Sequence, residues 1–452
     1  MSKIKLYCAW PKLLDIHIFD NKDMRNDTNH ISDIELNKDI LNQYEDLEVL
    51  LFNEEVINPN ENNFLLVHWL NLRVIINPDQ SYDYNLSNDM INLLKKYNMK
   101  LILGVPRENV LWQGLEERYK KENLHAIDAD AYNFYKNMKR QDLLMLQCGF
   151  KSPYNIKDKA VIHLDWIPII GAFPGFTKTK HITSFGSKHF VIPYQKKYFD
   201  ETVNQKKYKF ISLLGDIERP HRVAFLMHIY KDGLLNKDDL CVSWVYTRKT
   251  DDYDKKIELT KRNHPKIIPN LNERAHKKFI SLVAKSNILE PDIQTFLTTK
   301  RNENKNDSAK NPLYSNILEW MSPLQMTQSL MQIVYETRPH APFLTEKFYK
   351  PILSKQPFIW YSIDKVLDFL EEENYKTYSF INYKYDSISN RNERWKEVYK
   401  EFKRLYSIPF EDLKEMIQKE NHISEHNYEV FLNNFKKDTQ GKRLYEQLRA
   451  FI

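Results

Sequence analysis

The sequence predicts an α/β protein of two Rossmann-like halves that face each other across a cleft and are closed by C-terminal helices. Three observations predict it. Short apolar runs alternate with segments of helical spacing through both halves, the pattern of parallel strands joined by crossover helices. A polar, lysine-rich stretch at 195–209 interrupts the alternation, and the pattern then restarts. At 452 residues the chain exceeds one ordinary core, so two domains of ~150–200 residues are expected. The predicted division is an α/β domain over 1–195, a second over 196–390 and a helical segment over 391–452.

In the first half, 63–69 and 72–76 are apolar runs and 87–97 has helical spacing. A strand is predicted at 100–104, a helix over 131–148 and a strand at 161–164 leading into Asp165-Trp166-Ile167-Pro168. In the second half, 210–214 reads as a strand. The loop from Gly215 to Arg222 follows, with Pro220 placed for the first position of a helix over 223–230. A strand at 241–247, a helix at 272–286 and a polar loop at 301–310 come next. A strand ends at Glu336, a helix opens at Thr345, and an apolar strand runs through Phe358, Ile359 and Trp360. A helix is predicted around 364–372, and from 391 the chain is charged and helical. The sequence shows no internal repeat.

Composition narrows the function. With only nine glycines, and no GxGxxG or Walker A pattern, a glycine-rich phosphate loop is excluded. Cys8, Cys148 and Cys241 are an odd number without metal-ligand spacing and read as reduced thiols of a cytoplasmic protein. The strongest apolar window, 64–76, contains His68, Asn71 and Arg73 and is too short to span a bilayer. Trp10, Pro11 and Lys12 interrupt the short apolar stretch at the start, so no signal peptide is expected. The abundance of Asn, Lys and Ile suggests an AT-rich genome, viral or bacterial. A net charge of +6 suits a phosphate-bearing ligand.

The chemistry-bearing residues cluster in the second half. A helix opening at Thr345 carries Glu346 and Lys347 in its first turn. Backbone N–H groups and the positive end of the helix dipole favour an anion there. Glu346 suits that dipole and Thr345 suits a cap, but a lysine in a first turn is unexplained by the dipole and points to a ligand. Glu336, at the end of the preceding strand, adds an acceptor suited to sugar hydroxyls. Arg219, His221 and Arg222 place three cations around Pro220 at a strand-to-helix turn; the arginine fork donates two parallel hydrogen bonds to phosphate oxygens. The alternative for this trio is a solvated helix start with a salt bridge to Glu218.

This block resembles the donor-binding motif of nucleotide-sugar glycosyltransferases. The chain is similar over 210–385 to GT-B glycosyltransferases of the alpha-1,3-fucosyltransferase family, and to phage glycosyltransferase-like proteins. The motifs are Arg219-Pro220-His221-Arg222, Thr345-Glu346-Lys347, Lys350-Pro351-Ile352-Leu353 and Gln356-Pro357-Phe358. Lys355-Gln356-Pro357-Phe358 stands where the family has Gly-Xaa-Val-Pro-Val. The resemblance implies a GT-B-like fold. It also implies that Glu346 meets the nucleotide ribose, and that Lys347 with Arg219 or Arg222 meets the diphosphate. The nucleotide sugar is then the donor, with no further cofactor and no metal, and the acceptor is a glycan or a modified base in phage or viral DNA.

An inverting transfer needs a general base to take the acceptor's proton. Asp165 is the first candidate, Glu108 the second and Asp79 the third; for each, a loop carboxylate or helix cap is the commoner role of such a residue. Trp166, Phe173 and Phe176 are candidates to stack on a sugar or base, or for the core. Asp128-Ala129-Asp130 matches a DxD metal motif but precedes a helical stretch, where acidic residues serve the dipole. Lysines and arginines at 120–121, 206–209, 255–262 and 400–404 allow a nucleic-acid acceptor. They also allow a different class of function, a non-catalytic nucleic-acid-binding protein that kept the fold.

Overall fold

The computed structural model describes residues 3–9, 44–68, 86–105, 144–148, 161–164, 205–216, 219–235, 237–245, 253–285, 324–336, 339, 346–436 and 439–452. These form two compact units. One comprises Met1–Phe185 with Asn434–Ile452, the other Gly186–Asn433. Of the predicted helical segment, residues up to 433 group with the second unit and the rest with the first.

The first unit is a six-stranded sheet, all parallel, in the order β2-β1-β3-β4-β5-β6. Its strands are β1 (Ile4–Ala9), β2 (Leu47–Leu51), β3 (Asn62–His68), β4 (Met99–Val105), β5 (Leu144–Cys148) and β6 (Val161–Leu164). Ile4, Leu6, Phe64, Leu65, Leu66, Leu101 and Ile102 are buried, the near-continuous apolar runs a two-sided sheet demands. Helix α1 (Asn88–Lys96) leads into β4. Ser87 caps it by accepting from the Met90 N–H at 3.1 Å, Asp89 lies in its first turn, and Lys95 and Lys96 in its last. Asn98, at φ +48°, takes the left-handed position beyond the helix end. Asn63 then donates to the carbonyls of Asn58 (2.8 Å) and Tyr97 (3.0 Å), joining the entry of β3 to the exit of α1.

The predicted strand at 63–69, helix at 87–97 and strand at 100–104 are present. The predicted helix over 131–148 is corrected at its end, because residues 144–148 are strand β5. Leu144, Met145 and Leu146 favour helix locally. Pairing on both sides, with β4 and β6, overrides that preference.

The second unit is a four-stranded parallel sheet in the order β10-β9-β7-β8. Its strands are β7 (Tyr208–Asp216), β8 (Leu240–Val245), β9 (Ser329–Tyr335) and β10 (Phe358–Tyr361). Helix α2 (Pro220–Lys231) joins β7 to the segment before β8. Helices α3 (Tyr253–Asn263), α4 (Glu273–Val283) and the short α5 (Leu324–Thr327) come between β8 and β9. Helix α6 (Glu346–Leu353) joins β9 to β10, and α7 (Val366–Glu372), α8 (Arg391–Tyr406), α9 (Phe410–Lys419) and α10 (Asn421–Lys436) follow. The last helix, α11 (Thr439–Ala450), belongs to the first unit. There the Tyr445 ring stacks on Tyr44 at 4.5 Å, its hydroxyl donates to Asp46 at 2.7 Å, and Arg449 pairs with Asp46.

Helices cover both faces of the second sheet. Every residue of β9 and β10 is buried. Along β10 the side chains alternate. Phe348 of α6 stacks on Trp360 at 4.6 Å and meets Phe358 edge-on at 5.7 Å, while the opposite face holds Ile359 and Tyr361 in the core with Trp395, Val398 and Phe402 of α8. The chain is therefore α/β with two parallel, doubly wound sheets in separate units, the class the sequence predicts. A regularity invisible in the sequence also emerges. In both sheets the second strand flanks the first on one side, and the third and fourth continue on the other.

Candidate functional site

Strand order decides where a ligand would sit. In the second sheet β7 is followed by β8 on one side, whereas β9 lies on the other and is followed outward by β10. The order reverses between β7 and β9. In open parallel sheets, ligands occupy the crevice beyond the carboxyl ends of the strands at such a switch point. The residues there are Gly215 and Asp216 of β7, the opening turn of α2, Tyr335 of β9, Glu336 and the opening turn of α6.

Strand β7 ends in a bulge. Leu213 pairs with Ser243 and Gly215 pairs with Trp244, leaving Leu214 extra. Bulges re-aim a strand end and are frequent beside functional sites. Gly215 completes it at φ +57°, in the left-handed region. A Cβ there would meet Arg222 Nη1 at 3.8 Å, an ordinary contact, so backbone strain alone opposes a side chain. Gly215→Ala is expected to lower stability by about 1–2 kcal/mol. Gly215→Asn should cost less, because asparagine tolerates this conformation. Urea unfolding of the two variants checks the ranking.

Helix α2 begins on Pro220, which has no N–H to leave unsatisfied. The N-cap is Arg219, whose side chain makes no capping hydrogen bond, and no acidic residue lies in the first turn. The positive end of this twelve-residue helix is thus uncompensated from within it, the condition that favours an anion. Arg219 is half-buried at this mouth. His221 and Arg222 turn inward instead and are 5% and 3% exposed. His221 Nε2 lies 2.8 Å from the Glu336 carbonyl, which can only accept, so this nitrogen carries the proton. Arg222 Nη2 donates to the Tyr335 carbonyl at 3.2 Å. The Arg222 guanidinium therefore spans from Gly215 on β7 to Tyr335 on β9 and lays a positive charge beneath the crevice.

Glu336 is fully buried; its N–H donates to the Tyr361 carbonyl at 3.0 Å, and its own carbonyl meets His221. Lys347 is half-buried in the first turn of α6, next to Phe348, whose packing on Trp360 and Phe358 fixes the helix against β10. Glu346 opens α6. Pro351 lies inside that helix, late enough for its missing N–H to disturb only the final turn. Thr345, Asp165, Glu108 and Asp79 lie outside the described residues, as do Trp166, Phe173, Phe176 and the Asp128–Asp130 pair. Among the described residues no group of three His, Cys, Asp or Glu side chains could hold a metal ion, and no helix is long and apolar enough to cross a membrane.

Helix α8 backs the rim, which the sequence reading missed. The Trp395 indole N–H donates to the His221 carbonyl at 3.1 Å, and the Tyr361 hydroxyl donates to the Arg391 carbonyl at 3.1 Å. Arg394, 1% exposed, donates from Nε to Ser362 (2.9 Å), from Nη1 to Ile388 (2.6 Å) and Ser389 (3.2 Å), and from Nη2 to Pro339 (2.8 Å), all carbonyls. The signal was present in the spacing. Trp395, Val398, Phe402 and Leu405 form one apolar stripe, and Arg394 lies on its edge, one helical turn before Val398. Burial drives the Tyr361 hydroxyl up to about 12, so it stays a neutral donor.

Compared with known proteins, the chain matches no family model and no curated protein. Solved structures with a similar chain path include the N-terminal domain of trehalose-6-phosphate phosphatase from Candida albicans. It shares 10% identity, covers 100% of this chain and 98% of its own, and has a TM-score of 0.39. An alpha1,3-fucosyltransferase shares 10% identity, with coverage of 97% and 92% and a TM-score of 0.33. A UDP-forming alpha,alpha-trehalose-phosphate synthase from Burkholderia vietnamiensis shares 10% identity, with coverage of 89% and 75% and a TM-score of 0.31. Likenesses this distant say nothing of activity, which must be argued from the site.

Proposed function

We propose that the chain is a nucleotide-sugar-dependent glycosyltransferase whose second unit binds the donor. One observation carries this reading. At the switch point of the second sheet, the uncompensated start of α2, the half-buried Arg219 and the Arg222 charge beneath the crevice all lie at the carboxyl ends of β7 and β9. Helix α6 opens from the same edge with Lys347. That is provision for a diphosphate. The Thr345-Glu346-Lys347 resemblance narrows the anion to the diphosphate of a nucleotide sugar.

On this reading the acceptor hydroxyl oxygen attacks the anomeric carbon while the bond to the diphosphate oxygen breaks. The pair of electrons leaves with the nucleoside diphosphate, whose charge Lys347 and the arginines stabilise in place. A carboxylate takes the hydroxyl proton, with Asp165, Glu108 and Asp79 as candidates in that order. Inversion follows from a single displacement, and the account requires no metal. The acceptor is a glycan or a modified base in DNA.

The test is thermal unfolding of the wild type and Lys347→Ala with UDP-, GDP-, CMP- and dTDP-sugars. A ligand at 100 times its dissociation constant should stabilise the wild type by ~2.7 kcal/mol. Lys347→Ala should keep its unliganded melting temperature and lose most of that shift. A wild type that responds to none of the four classes refutes the donor site.

A further inference from the structure

We propose that Arg394 is a positioning residue for the donor site, holding the chain that leads into α6 so that Lys347 meets the diphosphate. This rests on the donor-site reading above. The guanidinium joins three segments that are separate in sequence. Nη2 holds Pro339, between β9 and α6; Nε holds Ser362, just beyond β10; and Nη1 holds Ile388 and Ser389, at the approach to α8. The Asp364 carboxylate lies 3.6 Å from Nη1. The Arg394 guanidinium also lies 5.8 Å from the centre of the Tyr361 ring.

Packing alone does not account for this residue. Enclosing a guanidinium costs desolvation, and apolar side chains of similar volume often replace buried ion pairs without loss of stability. What they cannot replace is the fork. Its planar donors reach carbonyls in several fixed directions at once, which the single ammonium of lysine cannot do. Two of the segments so fixed follow β9, which borders the switch point, and its neighbour β10. The tie to Pro339 bears on the only covalent path from β9 to the first turn of α6.

A double-mutant cycle separates positioning from bulk stability. Dissociation constants for UDP, GDP and dTDP are measured by calorimetry on the wild type, Arg394→Lys, Lys347→Ala and the double variant. In the wild-type background Arg394→Lys should weaken binding about tenfold, and in the Lys347→Ala background by less than about twofold, since residues acting through one another are not additive. Equal losses in both backgrounds, with the wild type binding, overturn the positioning role alone. A wild type that binds none of the three nucleotides overturns the donor site and this role with it. If Arg394→Lys does not fold, Asp364→Asn enters the same cycle. It leaves the carbonyl contacts in place and should show coupling of about threefold, with additivity again counting against the role.

Discussion

Replacing Trp395 by alanine is expected to cost about 3–5 kcal/mol. The side chain is 1% exposed. Its ring stacks on Tyr399 at 5.5 Å with the planes 6° apart, and lies 5.0 Å from His228. Its N–H supplies the Trp395–His221 bond at the opening turn of α2. Truncation therefore opens a large cavity and removes a donor from a buried carbonyl. Trp395→Phe separates the two effects. It keeps most of the packing and should lose about 1–3 kcal/mol, the cost of leaving a buried acceptor unmade. Urea midpoints of both variants check the order. An alanine variant within about 1 kcal/mol of wild type would show that α8 does not brace α2. Because His221 in turn holds Glu336, nucleotide binding should fall with stability in the alanine variant.

The second large effect is a pH dependence set by Asp386. This carboxyl group lies within the 3-10 turn Tyr383–Ser387 and is 7% exposed. It accepts from the N–H groups of Val366 (3.1 Å) and Leu367 (3.3 Å), capping α7 from outside its own sequence. Burial raises its pKa from 3.8 to about 7; the two backbone hydrogen bonds and Arg394 pull the other way without prevailing, and Asp368 adds to the rise. The folded state then holds a proton between pH ~4 and ~7 that the unfolded chain releases. Stability should be greatest below pH 4 in this respect and fall as pH rises to 7, by ~4 kcal/mol at most from this group. Asp386→Asn keeps an acceptor and cannot ionise, so its unfolding free energy should change less between pH 5 and pH 8 than that of the wild type. Identical pH profiles for the two proteins would show that Asp386 is ionised in the fold. The same titration bears on the proposed donor site only indirectly, through Arg394, which lies near both Asp364 and Asp386.

Much of this architecture is legible in the residues. Apolar runs such as those around Phe64, Phe210 and Ile359 announce strands because a sheet covered on both faces buries most of its side chains. Ser87, Pro220, Asn272 and Asn390 mark helix starts because each solves the problem of unsatisfied N–H groups locally. The cation-rich turn at Arg219 to Arg222 and the Lys347 turn are visible for the same reason, since their chemistry is at odds with their local role. Strand β5 was not legible, because Leu-Met-Leu favours helix until flanking strands claim its backbone. The early strands β1 and β2 were equally silent, being short runs without a strong period.

By itself, then, the sequence determined which segments are strands and helices wherever the cause is local: periodicity, caps, a proline at a helix start. It also determined that positive charge gathers at two turns of the second half. Tertiary structure alone decided what those charges do. Strand order, a long-range property, put both turns at one switch point. Packing turned His221 and Arg222 inward to the strand ends, leaving Arg219 at the mouth. It also drew Arg394 out of what looked like a solvated charged helix, because a buried guanidinium is tolerated only where carbonyls from several distant segments converge to receive its donors.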